Sequence, residues 1–315
     1  MDQSASVFGK QGSALYVSFQ PELSVKAFEF PETDELNFLV AQTFVAADKH
    51  VSAAVGYNLR VVECSLAAVV LSRVFGLKKS LPTDESPLGV SLRGFHNTYY
   101  EEKEGIADNS KADSTTLATQ LTELMRLTED YLAQEEGYTR QQIAEIIGLS
   151  VDELNARFTA KFPVNAERFM LRQRAIHVFS EAIRVNRFIQ LITEHDSTKP
   201  ETLDPLLRAL GTLMNDTQDS CRDIYNCSCP ELDELCQLAR SAGAYGSRLT
   251  GAGWGGCSVH LVPKSKVEKV KQAWIDKYYR KRWPDITESR LEEAIVVSKP
   301  GSGSTVYKVV GDKAV

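Results

Sequence analysis

The chain has 315 residues, 43% of them apolar and 25% charged, with a formal net charge of −6. That length supports a sizeable core and roughly two domains, and the acidic balance excludes broad binding to nucleic acid or to anionic membranes. No apolar run approaches the ~18 residues of a membrane span, and the opening MDQSASVFGK lacks the basic-then-apolar order of a secretory signal, so the expected address is cytoplasmic.

In chain order, residues 14–19, 25–30 and 37–45 read as short strands rich in β-branched and aromatic side chains, punctuated by Pro21 and Pro31. Residues 57–75 carry Leu59, Val62, Leu66, Val70 and Leu71 at helical spacing. A polar loop with two prolines follows at 78–87, and residues 115–135 predict an amphipathic helix with Leu117, Leu121, Leu124, Met125, Leu127 and Leu132 inside. Further helices are predicted at 166–194, 203–225, 231–242 and 267–279, and strands at 257–262 and 293–298. No internal repeat or low-complexity tract interrupts them. The mixture predicts an α+β fold with antiparallel strands rather than a βαβ array.

Two local patterns raise functional readings and lose them. Cys221, Cys227, Cys229 and Cys236 cluster in sequence, but without the paired knuckles of a zinc site. They are read as reduced thiols, and no metal site is predicted. Residues 138–158, YTRQQIAEIIGLSVDELNARF, have the helix, Gly-Leu-Ser turn and helix order of a helix-turn-helix. Asp152 and Glu153 stand where a DNA reader would face phosphates, so the segment is read as a structural helical hairpin and no nucleic-acid partner is expected.

The stretch LTGAGWGGCSVHLVP, beginning at Leu249, matches G-x-G-x-x-G at Gly251, Gly253 and Gly256. A dinucleotide site needs a strand before those glycines and a helix after them. The preceding SAGAYGSRLT is small and polar and predicts no strand, the following CSVHLV alternates like one, and Asp276 falls inside a predicted helix. A phosphate-binding P-loop fails as well, because no Lys-Ser or Lys-Thr closes the loop. On the loop alone, an anion-cradling backbone and a tight buried turn stand equal.

Other stretches decide between them. MDQSASVFG opens the chain, GYNLRVVEC stands at 56–64, NCSCPELDEL at 226–235, then YGSRLTGAGWGGC, and EEAIVVSKPGSG near the end. In this order they resemble the galactokinases of the GHMP kinase superfamily over nearly the whole chain. The fungal branch is closest, since bacterial and animal members commonly have Phe where Trp254 stands. The resemblance implies the end of a GHMP N-terminal domain at 1–35 and a complete C-terminal domain at 36–315, with a fungal helical insertion around 110–162. It implies phosphorylation of D-galactose at its anomeric hydroxyl by ATP and Mg2+. Asp2 then corresponds to the carboxylate that orients or deprotonates the sugar hydroxyl, Tyr57 to a sugar contact, and Gly251, Ala252 and Gly253 to a loop beside nucleotide and sugar. Such chemistry needs positioning and charge neutralisation more than covalent catalysis. Taken singly, Asp2 also reads as a helix cap and Tyr57 as a core ring.

Two family motifs, G-R-x-N-L-I-G-E-H and the serine-rich G-x-G-L-S-S-S, are missing from the 315 residues. The magnesium ligands and most sugar contacts are therefore expected upstream. A group at position 2 frays, and catalysis needs a tightly packed supporting shell, so Met1 is expected to be an internal methionine of a longer protein and the chain alone inactive. The family also contains galactose sensors that bind a transcriptional repressor when loaded with sugar and ATP. Sensor and kinase differ in the serine-rich loop, so that partner stays open.

Overall fold

A computed structural model describes residues 2–19, 22–46, 53–304, 309–310 and 313–314; for Asp2, Lys111 and the last four of these it describes the backbone alone. After a short helix α1 (Asp2–Phe8), strands β1 (Ser13–Ser18) and β2 (Ser24–Glu29) pair with each other as an antiparallel hairpin. Strand β3 (Asn37–Gln42) belongs to a different sheet, which also contains β6 (Gly246–Leu249), β7 (Cys257–Val262) and β8 (Ile295–Ser298) in the order β6-β7-β3-β8. All three of its pairings are antiparallel, with Asn37 opposite Val262 and Gln42 opposite Cys257.

Side chains alternate across this sheet, as the period of two requires. Leu39, Ala41 and Val262 face a core with Val270 and Trp274, whereas Phe38, Val259 and Leu261 face the other way, towards Leu207 and Leu210. Helices α9 (Pro230–Ala242) and α10 (Val267–Trp274) cover the first face, and α8 (Leu203–Asp223) covers the second. Chain continues from α10 through a π-helical turn, Ile275–Tyr279. That turn aims Tyr278 and Tyr279 hydroxyls at the Thr43 and Gln42 carbonyls, at 2.8 and 2.6 Å, and so fixes the exit of β3.

The second lobe is helical. Helix α2 (Tyr57–Val74) carries apolar and small residues on every side, the mark of a buried helix, and Val62, Leu66, Ala67, Ala68, Val70 and Leu71 are fully buried. Around it pack α3 (Leu92–Glu104), α4 (Ser114–Tyr131), α5 (Arg140–Ile147), α6 (Val151–Phe158) and α7 (Leu171–Thr193). A two-residue pairing of β4 (Tyr138–Thr139) with β5 (Arg168–Phe169) closes the α5–α6 pair. Both helices of that pair start in capping boxes, Thr139 with Gln142 and Ser150 with Glu153. Glu153 is thus bound to its own helix end. No described helix is long and apolar enough to cross a membrane.

Several sequence expectations need correction. A strand, β6, does precede the glycines. Its residues GSRL are small and polar, and pairing with β7 rather than propensity makes it a strand. The dinucleotide reading still fails, because β7 follows the loop where a helix is required. Helix α3 and helix α11 (Glu288–Ala294) were not expected, and α11 takes Glu293 and Ala294 from the predicted strand. Helix α7 starts at Leu171, since Arg168 and Phe169 are committed to β5.

The glycine-loop cavity

Three chain segments meet where β6 turns into β7. From β3, Thr43 donates its backbone N–H to the Gly256 carbonyl at 2.8 Å, and the Gly256 N–H returns to the Val45 carbonyl at 3.0 Å. From the end of α8, the Cys227 carbonyl accepts the Trp254 N–H at 2.7 Å. The loop is therefore gripped on both sides. Among the described residues, three non-glycines have positive φ, Phe44, Asn226 and Trp254, and each lies in or next to one of these segments. Backbone strain of this kind persists where surrounding contacts over-determine it, and it gathers at functional sites.

The loop divides the two readings left open by its sequence. A Cβ on Gly253 would stand 1.9 Å from the Cys227 carbonyl oxygen, so that position is a tight turn where only glycine fits. A Cβ on Gly251 would meet nothing within 4 Å, although its φ is +79°. Gly251 and the exposed Ala252 line a cavity of about 550 Å³ together with Tyr57, Arg60, Trp254 and Glu181. Tyr57 opens helix α2 and is 53% exposed, which overturns its reading as a core ring. The structure thus brings Tyr57, Gly251 and Ala252 to one cavity and puts Gly253 in the turn that holds them. Asp2 begins α1, and its side chain lies outside the described residues.

Behind the cavity sits a buried ionic cluster that the sequence reading missed. Glu63 is fully buried and accepts from Arg60 Nη1 at 2.9 Å, Arg174 Nε at 2.7 Å and the Met170 N–H at 2.8 Å. The two guanidiniums then reach three successive carbonyls. Arg174 donates to Ile224, and Arg60 donates to Tyr225 at 2.6 Å and to Asn226 at 2.9 Å. The next carbonyl, that of Cys227, is the one that docks the glycine loop. Arg60 also lies 5.9 Å from the centroids of the Tyr225 and Trp254 rings. One clamp thereby ties the helix that begins with Tyr57 to the loop that carries Gly251. A sequence signal existed: Arg60 and Glu63 fall within the apolar run of α2, where a charge survives only if paired.

The remaining wall is polar but committed. His177 shares a hydrogen bond with Ser220 Oγ at 2.8 Å and stacks on Tyr225 at 4.2 Å, and burial lowers its pKa to about 4. Burial also works to raise the Glu181 carboxyl, but Arg248, Thr217 and Arg184 outweigh it and hold the group below its usual value. The cysteines are free thiols, and burial pushes Cys64 up to about 11, away from reactivity. Among the described residues, no group of three or more His, Cys, Asp or Glu could hold a metal ion.

Comparison with known proteins gives this geometry its relatives. A family description reading "GHMP kinases C terminal" matches residues 200–281, which run from the start of α8 through the glycine loop to the π-helical turn. The galactokinase of Saccharomyces cerevisiae is 40% identical over 320 residues, covering 98% of this chain and 59% of that protein. The galactokinase of Schizosaccharomyces pombe is 41% identical over 317 residues, covering 98% and 60%. The chain is thus similar to galactokinases over nearly all of its length, and part of it to the C-terminal region of GHMP kinases. A crystal structure of Lactococcus lactis galactokinase complexed with galactose covers 96% of this chain and 54% of its own at a TM-score of 0.50 and 19% identity, which supports the shared fold. The α+β architecture is shared with that structure, and the chain spans about 60% of the length of the curated relatives it matches.

Proposed function

We propose that this chain builds the C-terminal wall of a site in which ATP phosphorylates D-galactose at its anomeric hydroxyl. The observation that carries the reading is the meeting of Tyr57, Gly251 and Ala252 on one cavity, under a loop whose strain is held from both sides. Tyr57 touches the sugar. The loop at Gly251–Ala252–Gly253 lies beside nucleotide and sugar, with Gly253 fixing its height against Cys227. Asp2 accepts the proton of the sugar hydroxyl as the phosphoryl group transfers. Residues 1–35, with their separate hairpin, belong in this reading to the N-terminal domain. Residues 110–162 form the fungal insertion.

The test is product formation. The native protein, incubated with galactose and MgATP, is followed by phosphorus NMR for galactose 1-phosphate, with Asp2→Asn and Gly253→Val compared. Product from the wild type and its loss in Asp2→Asn, with nucleotide binding retained, supports the assignment. Full turnover in Asp2→Asn removes it. A sensor would bind both ligands and release no product, so the same experiment separates that alternative.

A further inference from the structure

The cavity wall beside the glycine loop carries three arginines, Arg60, Arg93 and Arg248, against one carboxylate, Glu181. Two of the three are spent. Arg60 is held by Glu63 and two carbonyls, and Arg248 is held by Glu181 and the Leu249 carbonyl. Arg93 makes no hydrogen bond or ion pair among the described residues. It is only partly exposed, and burial pulls its pKa down. Tyr16 and Asp108 act on it electrostatically. Asp108 is occupied as the cap of Ser110.

Arg93 also lines a second cavity, of about 420 Å³, which shares His177, Glu181 and Tyr225 with the first. The guanidinium therefore stands where the two spaces join. The start of its own helix adds nothing, because Ser91 caps Gly94 and in turn holds Asp84.

We propose that Arg93 holds a phosphate group of a ligand bound at this junction. A guanidinium presents donors in a planar fork that matches phosphate oxygens. Left half-buried and unpaired, it is a liability that a bound anion relieves. Its neighbours give the cavity a surplus of positive charge in a chain whose net charge is −6, so the field there favours anions. The phosphate comes from a nucleotide or from a phosphorylated sugar. That choice of sources rests on the proposed function, whereas the anion chemistry does not.

Calorimetric titration of inorganic pyrophosphate into the full chain tests this directly, with Arg93→Ala, Arg93→Lys and the exposed control Arg208→Ala. The expected result is binding by wild type and control, at least a tenfold loss in Arg93→Ala and partial recovery in Arg93→Lys. Since Arg93 makes no hydrogen bond or ion pair among the described residues, its Ala variant should melt no lower than wild type. Absence of pyrophosphate binding by wild type, equal binding by Arg93→Ala, or a melting point several degrees lower in that variant overturns the proposal. AMP and galactose 1-phosphate, titrated next, identify the source. If pyrophosphate depends on Arg93 while neither of these binds, the subsite stands and the proposed function falls; if they bind without dependence on Arg93, the reverse holds.

Discussion

Replacing Gly253 by alanine and, separately, Gly251 by alanine isolates what the glycine loop is made of. Both residues have left-handed φ, +87° and +79°, so each alanine incurs the same backbone penalty of roughly 1–2 kcal/mol. At Gly251 nothing further is met, and the total stays there. At Gly253 the new Cβ falls 1.9 Å from the Cys227 carbonyl oxygen, a contact no side-chain rotation can relieve. The backbone must shift, which forfeits the Trp254 N–H to Cys227 hydrogen bond, about 1–3 kcal/mol, and adds overpacking of about 1–3 kcal/mol. Gly253→Ala should therefore cost roughly 3–8 kcal/mol, against roughly 1–2 for Gly251→Ala. Urea unfolding of the two variants at one pH measures the difference. Equal costs would mean that the Cys227 contact does not fix the loop, and the account of how Gly251 is presented to the cavity would fail.

Further outcomes follow from the same structure. Glu63→Gln leaves two guanidiniums facing each other without a carboxylate and should destabilise by about 3–5 kcal/mol in urea titration; a loss below 1 kcal/mol would deny the clamp. Tyr57→Ala removes an exposed ring, so stability should stay within about 0.5 kcal/mol while galactose affinity falls, as equilibrium binding would show. Burial lowers the pKa of His96 and His177 to about 4 and of His260 to about 3, all below the unfolded value of 6.5. The unfolded chain then binds more protons between pH 6.5 and 4, and stability is full above pH 6.5 and lost as the pH falls. Each histidine contributes a slope of up to about 1.4 kcal/mol per pH unit. Unfolding free energies at pH 7, 6 and 5 should decline, with a shallower decline in His260→Gln; a flat profile refutes the burial argument.

Much of the fold was legible because local pattern and tertiary role agree. Strand β7 matches its predicted bounds, since its alternating residues face two different cores. Helix α2 was legible from its apolar spacing. Helix α3 was not, because its sequence LRGFHNTYYEEKE has no leucine stripe, although its Ser91 cap and the left-handed Gly105 at its end are readable stop and start signals. Strand β6 was hidden for the opposite reason, being a strand only by virtue of its partner. The resemblance singled out Tyr57 and the glycine loop, which the fold brings to one cavity. The clamp escaped because its members meet only in the fold: Glu63 and Arg174 are 111 residues apart. Gly253 and Gly251 look alike in sequence, and only the position of the Cys227 carbonyl tells them apart.

Tyr57 and the glycine loop line one cavity and should face one ligand. Amide hydrogen exchange of the native protein, with and without galactose plus MgADP, tests it most directly. The account predicts joint protection of residues around 57–64 and 249–257, with the capped hairpin at 140–158 unchanged. Protection of one segment without the other, or of neither, would contradict it.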